Sequence, residues 1–457
     1  MSAAAPSSAP QPRFVTGSLM RHVTVMAGTG AIGLVAVFAV DLINLFYISL
    51  LGEKAIAAAV GFAGVVGFFH LSVCIGMMIG ITASVSRRIG AGQMADARRI
   101  ATHSLLLMIA VTALLALLTA LFLEPILRTL GAEPEVARLA RRYLLITLPS
   151  VPLLGLGMAT SALLRSVGDA RRSMMITLGA GLVTAALDPL FIFVFGLGLE
   201  GAAMVAVISR TTLVTVGLRS AIRIHHLLGP WERARFAQDV RAVTHVAAPA
   251  VLTNLATPVG AAFVTHSVAQ FGAYAVAGQA TIERVTPVAF GLIYSLSGAV
   301  GPILAQNLGA RQYDRVREAL RASLLFMLIS VAGAWLLLAL LQTPLVRAFS
   351  LDGVAAEMVH AFCTWLAASF FFAGALFVAN AAFNNLGRPL WSTAFNWGRA
   401  TLGTIPFAWW GARYGPVQVL AGQAVGFVIF GALSLWAAHR LTSRLGQAGA
   451  PSLQKIA

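Results

Sequence analysis

Of the sixteen carboxylates in this 457-residue sequence, only Asp41, Asp188 and Glu283 fall well inside long apolar stretches. An ionisable side chain held among apolar residues is expensive, which makes it a candidate for binding a cation in one state and releasing it in another. Asp188 is the foremost of the three. Pro189 follows it, and a proline inside a helix frees the carbonyl of the preceding turn. That carbonyl could share a proton or a small cation with the carboxylate. The plainer reading is a carboxylate bonded to backbone at a proline kink. Asp41 stands three residues before Asn44, one turn along the same helix face. Glu283 is followed by Arg284, which points to a different face, and Arg399 lies in another apolar stretch. A Glu283–Arg399 bridge is a conjecture, with a purely structural bridge as its alternative. Arg210 could neutralise an acid or snorkel to the membrane surface.

Other chemistry is missing from the sequence. There is no Walker A loop, no Ser/His/Asp arrangement and no dinucleotide fingerprint, so no enzyme activity and no cofactor are expected. No His/Cys/acid spacing suggests a metal site. Cys74 and Cys363 fall in separate apolar stretches and read as packed free thiols.

The elements that must hold these residues follow from composition. Hydrophobic residues make up 58% of the chain and charged residues 11%, with mean hydropathy +0.84. A soluble chain carries roughly 25% charge, so this one belongs in a bilayer. A span needs about 20 apolar residues, and twelve such stretches can be read: 23–50, 55–85, 103–124, 142–164, 173–196, 200–219, 243–270, 274–302, 322–347, 357–384, 391–412 and 416–439. The net charge of +16 reflects arginines facing anionic lipid rather than nucleic acid, because no basic patch is interleaved with aromatics. With both termini inside, 22 basic residues fall on the inner side and 7 on the outer. That places both termini in the cytoplasm.

The chain also resembles itself. Arg21, Val23 and Thr24 match Arg241, Val243 and Thr244 at an offset of 220. Gly90, Ala91, Gln93, Arg98 and Met108 match Gly309, Ala310, Gln312, Arg317 and Met327 at 219, as Gly168 matches Gly387. Two parallel halves of six spans follow, and halves of this kind usually meet at a central cavity. The expected organisation is a disordered cytoplasmic tail over 1–20, a six-helix lobe over 21–219, a cytoplasmic linker over 220–242, a second lobe over 243–440 and a tail over 441–457. The absence of a long soluble loop leaves little room for a non-transporting assembly subunit.

The repeat loops carry a family resemblance. Ser86-Arg-Arg-Ile-Gly90-Ala-Gly92-Gln93 resembles the loop after span two of the multidrug and toxic compound extrusion (MATE) family. Gly301-Pro-Ile-Leu-Ala-Gln306-Asn307-Leu-Gly309 resembles the loop after its span eight. Leu164-Arg-Ser-Val-Gly168-Asp169, Leu187-Asp188-Pro189 and Gly198-Leu-Glu-Gly201-Ala-Ala203 resemble its spans four to six, nearest the DinF-like branch.

The resemblance implies an all-α integral membrane protein, with two six-helix lobes forming a V-shaped pseudo-twofold bundle around an apolar cavity. It implies a monomeric antiporter of the inner membrane, both termini cytoplasmic, that meets membrane lipids and exports small organic, often cationic, compounds in exchange for H⁺ or Na⁺. A flippase for lipids or lipid-linked sugars, as in related two-lobe transporters, is the alternative. The family's span-five aspartate falls on Asp188. Its span-one aspartate aligns with Asn44, so the carboxylate of Asp41 is displaced by a turn. Its span-five asparagine is replaced by Thr184. So thin a set of neutral oxygens favours H⁺ over Na⁺. The expected cavity lining is Phe68, Phe69, His70 and Met77 in span two, Asn254 and His266 in span seven, Gln279 and Tyr294 in span eight, and Asn380 and Asn384 in span ten.

Overall fold

The computed structural model describes residues 12–51 and 53–446; Gly52 and the outermost parts of both expected tails lie outside them. The described residues are helical almost throughout. Inside a bilayer every backbone N–H and C=O must find its partner within the segment, and the helix meets that demand. The first half contains α1 (Leu19–Ser49), α2 (Lys54–Gly90), α3 (Met94–Leu121), α4 (Leu123–Thr129), α5 (Pro134–Thr147), α6 (Val151–Ser166), α7 (Ala170–Pro189) and α8 (Gly198–Arg219). The second contains α9 (Arg233–Ala269), α10 (Ala273–Ala289), α11 (Gly291–Gly309), α12 (Tyr313–Ala348), α13 (Gly353–Thr364), α14 (Phe370–Asn385), α15 (Pro389–Ala400), α16 (Ile405–Gly411) and α17 (Pro416–Ser443).

Ten of these helical segments are long and apolar enough to cross a membrane. The pair α10 and α11, bent by 48°, supplies another crossing. The remaining expected span, 391–412, the eleventh in order, is broken into α15 and α16, and neither piece is long enough alone. The helices form the two six-span lobes of a V.

The expected boundaries shift in three places. Residues 12–18 are not a loose tail: Phe14 is buried to 1% exposure in the apolar core of the second lobe, with Leu19 and Val23. The expected linker 220–242 shortens, because α8 runs on through a π turn to Ile224 and α9 starts at Arg233. At the other end α17 continues to Ser443, and Leu445 is buried.

The lobes exchange helices at their seam. The start of α1 packs on α11 and α12 of the second lobe, while the start of α9 packs on α2 of the first. Since α1 and α9 are repeat equivalents, the seam is self-complementary about the pseudo-twofold axis. Glycines let the backbones meet there. A Cβ at Gly90 would fall on the backbone of Gln306, and one at Gly309 on the carbonyl of Arg87. Both pairs are related by the repeat offset of 219. Gly76 and Gly80 make the same close approach to Val251 and to Val243 and Ala247 of α9. Further along α2, a Cβ at Gly61, Gly64 or Gly67 would meet nothing within 4 Å. The V is therefore closed on the side carrying the chain ends, and α2 leaves open space beside its three glycines near the other end.

Candidate functional site

Asp188 sits at the C-terminal end of α7, fully buried at 0% exposure. Pro189 ends regular α-helix there, and residues Leu190–Val194 continue as a π turn. Such a break leaves backbone groups without their usual partners. Asn44 of α1 donates its Nδ2 to Asp188 Oδ2 at 2.7 Å. Asp188 Oδ1 is buried with no hydrogen-bond partner. A buried carboxylate oxygen without a donor is a costly arrangement, and it leaves one place where a proton can sit without displacing an existing bond. Asp41, one turn before Asn44, is exposed and has neither a hydrogen bond nor an ion pair among the described residues. The arrangement sets a buried carboxylate on α7 against α1, whose Asn44 bonds it and whose Asp41 is exposed one turn earlier.

Thr184 does not join them. Its hydroxyl donates to its own helix, to Ala180 O at 3.1 Å. β-hydroxyl side chains in apolar helices commonly bond back to the previous turn.

Arg210 neither pairs with an acid nor snorkels. It donates to Thr147 O at 2.9 Å and Ser150 Oγ at 2.8 Å. Those groups lie where α5 gives way to α6 through a short 3₁₀ turn. The guanidinium thus satisfies a carbonyl that the broken helix frees.

The conjectured Glu283–Arg399 bridge does not form. Glu283 is exposed and accepts from Gln279 Nε2 at 2.9 Å. Arg284 is exposed beside it and is in no ion pair among the described residues. Arg399 is buried on α15, with Nη2 3.4 Å from Thr257 Oγ1 and its guanidinium 4.7 Å from the Phe427 ring centre. It has no carboxylate partner among the described residues. A cation held over an aromatic face retains part of the stabilisation it loses on leaving water.

The expected cavity residues separate into two groups. Phe68, Phe69, His266 and Tyr294 are exposed, and Tyr294 packs its ring 5.4 Å from Phe377. Asn254 is half-buried and donates to Ala250 O. The others are corrected by the structure. His70 is buried against Thr119 of α3 at 3.0 Å, and Met77 fills the core of the first lobe. Gln279 is buried and donates to Thr265 Oγ1 at 2.9 Å. Asn380 accepts from Asn396 at 3.0 Å and Asn384 from Ser392 at 3.1 Å, tying α14 to α15. Polar residues in membrane helices serve such interhelical bonds as readily as they serve ligands, and sequence position alone does not separate the two uses.

A structural element that sequence reasoning missed is the segment ahead of α1. Arg13 donates to Gly168 O of the first lobe at 3.0 Å. Phe14 N donates to Gln306 Oε1 at 3.0 Å, and Phe14 O accepts from Asn307 Nδ2 and Arg315 Nη2 of the second lobe, each at 3.1 Å. Gln306 Nε2 donates in turn to Ser166 O at 2.6 Å. Gly168 has φ +81°, and a Cβ there would strike the Arg13 side chain. The segment clasps both lobes on their closed side. The Gln306-Asn307 pair in the middle of an apolar run was the available signal.

Outside the spans, Asp169 caps α7 by accepting from Arg172 N at 3.0 Å, and its Oδ2 meets the Arg172 guanidinium and His225 Nε2. Burial alone would raise its carboxyl, but the hydrogen bonds from His225 and Arg172 hold it well below the ordinary carboxylate range.

Comparison with known proteins agrees with this architecture. The MatE family model matches residues 31–190 and 249–410, one block in each lobe. An FAD transporter of Shewanella oneidensis is 31% identical over 90% of this chain and 92% of its own length. A MATE transporter of Vibrio cholerae, VcmN in a mutant form, has a structure with TM-score 0.89 and 24% identity, covering 93% of this chain and 97% of its own. A MOP-superfamily transporter of Pyrococcus furiosus, described as having a binding pocket of reversed polarity, has TM-score 0.90 and 18% identity, covering 97% and 100%. The family blocks contain both Asn44 and Asp188, and the chain belongs to the MATE family of membrane transporters.

Proposed function

We propose that this transporter exports small organic compounds across the plasma membrane in exchange for H⁺, with both termini cytoplasmic and Asp188 as the coupling carboxylate. The observation that carries the reading is the unpartnered Oδ1 of a fully buried Asp188 whose other oxygen is held by Asn44. Protonation at Oδ1 removes a charge that burial makes costly by several kcal/mol. That is enough to bias a two-state equilibrium separated by a few kcal/mol. The break at Pro189 and the shared bond to Asn44 carry the change from α7 to α1, which packs on both lobes. Asp41, exposed one turn away, is the group through which the proton leaves for water. A Na⁺ ion would want five or six oxygens, and Thr184 turns its hydroxyl elsewhere, so H⁺ is the better fit.

Accumulation of ethidium or norfloxacin in efflux-deficient cells tests this. Wild type should lower accumulation, the proton uncoupler should abolish the effect, and Na⁺ should not matter. Asp188→Asn should express normally and fail to export. Full export by that variant would sink the reading.

A second reading of the cargo has its own support. Arg399 is a buried cation with no carboxylate partner among the described residues. The similarity to an FAD transporter points the same way. On this reading the cargo is an anionic aromatic compound, and FAD itself is the compound to try. Export of FAD in place of ethidium, lost in Arg399→Gln, would decide for it; ethidium export alone would decide against.

A further inference from the structure

On the closed side of the V, between the ends of both lobes, lies an open vestibule of about 2040 Å³. Its lining includes neither Asn44 nor Asp188 and no residue of α7. Its wall carries eight arginines and only two aspartates, Asp96 and Asp239. A single arginine, Arg99, takes both acids. The other seven have no carboxylate partner among the described residues.

Those arginines are not simply solvated. Arg87 donates one nitrogen to Asn385 O at 2.8 Å across the seam, while its Nε is buried with no partner. Arg440 lies 4.0 Å from the ring centre of Trp436, and Arg388 lies 6.0 Å from that of Trp391. Both indoles line the same vestibule and both are exposed. Unpaired guanidinium groups bind phosphate through paired N–H bonds, and they stack on flat rings. Exposed indole faces accept a planar heterocycle. The two features together select for a compound that has both parts.

We propose that this vestibule is a binding site for small aromatic compounds bearing phosphate groups, the nucleotide-like class. Phosphate chemistry is shared with anionic lipid headgroups, but a headgroup brings no planar ring for the indoles. The lining comes from both lobes and lies between them, so a bound ligand bridges the closed state. The ligand class coincides with the second reading of the cargo. Binding here and transport are measured separately, so either can fail while the other holds.

The test uses the full chain in phosphatidylcholine nanodiscs, with FAD and riboflavin followed by flavin fluorescence and inorganic pyrophosphate as competitor. FAD should bind at least about tenfold tighter than riboflavin, a difference of about 1.4 kcal/mol. Pyrophosphate should displace it. Replacing Arg88, Arg388 and Arg440 together by Gln should weaken FAD binding about tenfold or more, again about 1.4 kcal/mol. Arg88→Gln alone, at a half-buried residue bonded only to Gln93, should weaken it measurably and is the variant least able to disturb folding. Trp436→Ala should weaken FAD but leave pyrophosphate binding unchanged. Equal affinity for FAD and riboflavin, or arginine variants without effect, would overturn the proposal. So would loss of FAD binding in discs containing phosphatidylglycerol, which would give the site to lipid headgroups.

Discussion

The amide of Asn44 donates to the carboxylate of Asp188 at 2.7 Å, joining two helices across 144 residues of sequence. It is the one hydrogen bond that this fully buried carboxylate receives from a side chain among the described residues. Asn44→Ala leaves both carboxylate oxygens without a donor, and leaving a buried charged acceptor unpaired costs about 1–3 kcal/mol or more. Export measured in cells should fall by about tenfold, since each 1.4 kcal/mol is a tenfold change in an equilibrium. Asn44→Gln, which keeps the amide, should recover part of the loss. Unchanged export by Asn44→Ala would remove the bond from the mechanism.

Gly90 and Gly309 set how closely the lobes approach on the side of the chain ends. Each would drive a Cβ into the opposite backbone. Gly90→Leu should hold that side apart. A pair of spin labels placed across the seam should report a longer distance in the variant than in wild type, with export lost. The same distances in both would show that the contact is not needed for closure.

Phe14 closes the same side by a different device. Its side chain is buried to 1% exposure and its backbone is bonded to the second lobe at both ends. Truncating a buried phenylalanine to alanine costs about 3–5 kcal/mol. Here that cost falls on the closed state alone if the segment is released when the lobes part. Phe14→Ala should therefore shift the same spin-label distances toward the open arrangement without lowering the amount of folded protein. A uniform loss of stability with unshifted distances would make Phe14 a packing residue only.

The lobes, the repeat and Asp188 were legible in the sequence because each leaves a long-range or chemical mark. Twelve apolar runs, a fixed offset near 219 and a carboxylate followed by proline need no side-chain geometry to be seen. The cavity lining was less legible. His70, Met77, Asn380 and Asn384 are taken up in contacts between neighbouring helices, and a helix has two faces. Which one a residue takes depends on the rotation of the helix, and these helices are apolar all round. Periodicity gives no phase in that case. The Glu283–Arg399 bridge failed for the same reason. The clasp at Phe14 was hidden because a short Ala/Ser/Pro-rich lead has no periodicity, and its partners lie some 290 residues away.

Asp169 gives a pH dependence whose sign is set by its partners. The folded carboxyl lies below its ordinary value because of His225 and Arg172. Such a group stabilises the fold above the unfolded carboxylate range, and the contribution disappears as pH falls through the depressed folded value. Thermal unfolding in detergent should show wild type losing more stability on acidification than Asp169→Ala. At neutral pH that variant should be less stable by about 1 kcal/mol from the lost cap. Parallel pH profiles would mean that the Asp169 cluster contributes nothing through its charge.

The most direct test of the coupling claim is proton movement itself. Proteoliposomes loaded with a pH-sensitive dye, in Na⁺-free buffer, receive ethidium and, separately, FAD on the outside. With wild type, the transported compound should drive a change in lumenal pH of the sign expected for exchange. With Asp188→Asn, the same compound should bind or leak without moving protons. Proton-linked exchange that survives Asp188→Asn, or wild-type transport that proceeds only with Na⁺, would contradict the account.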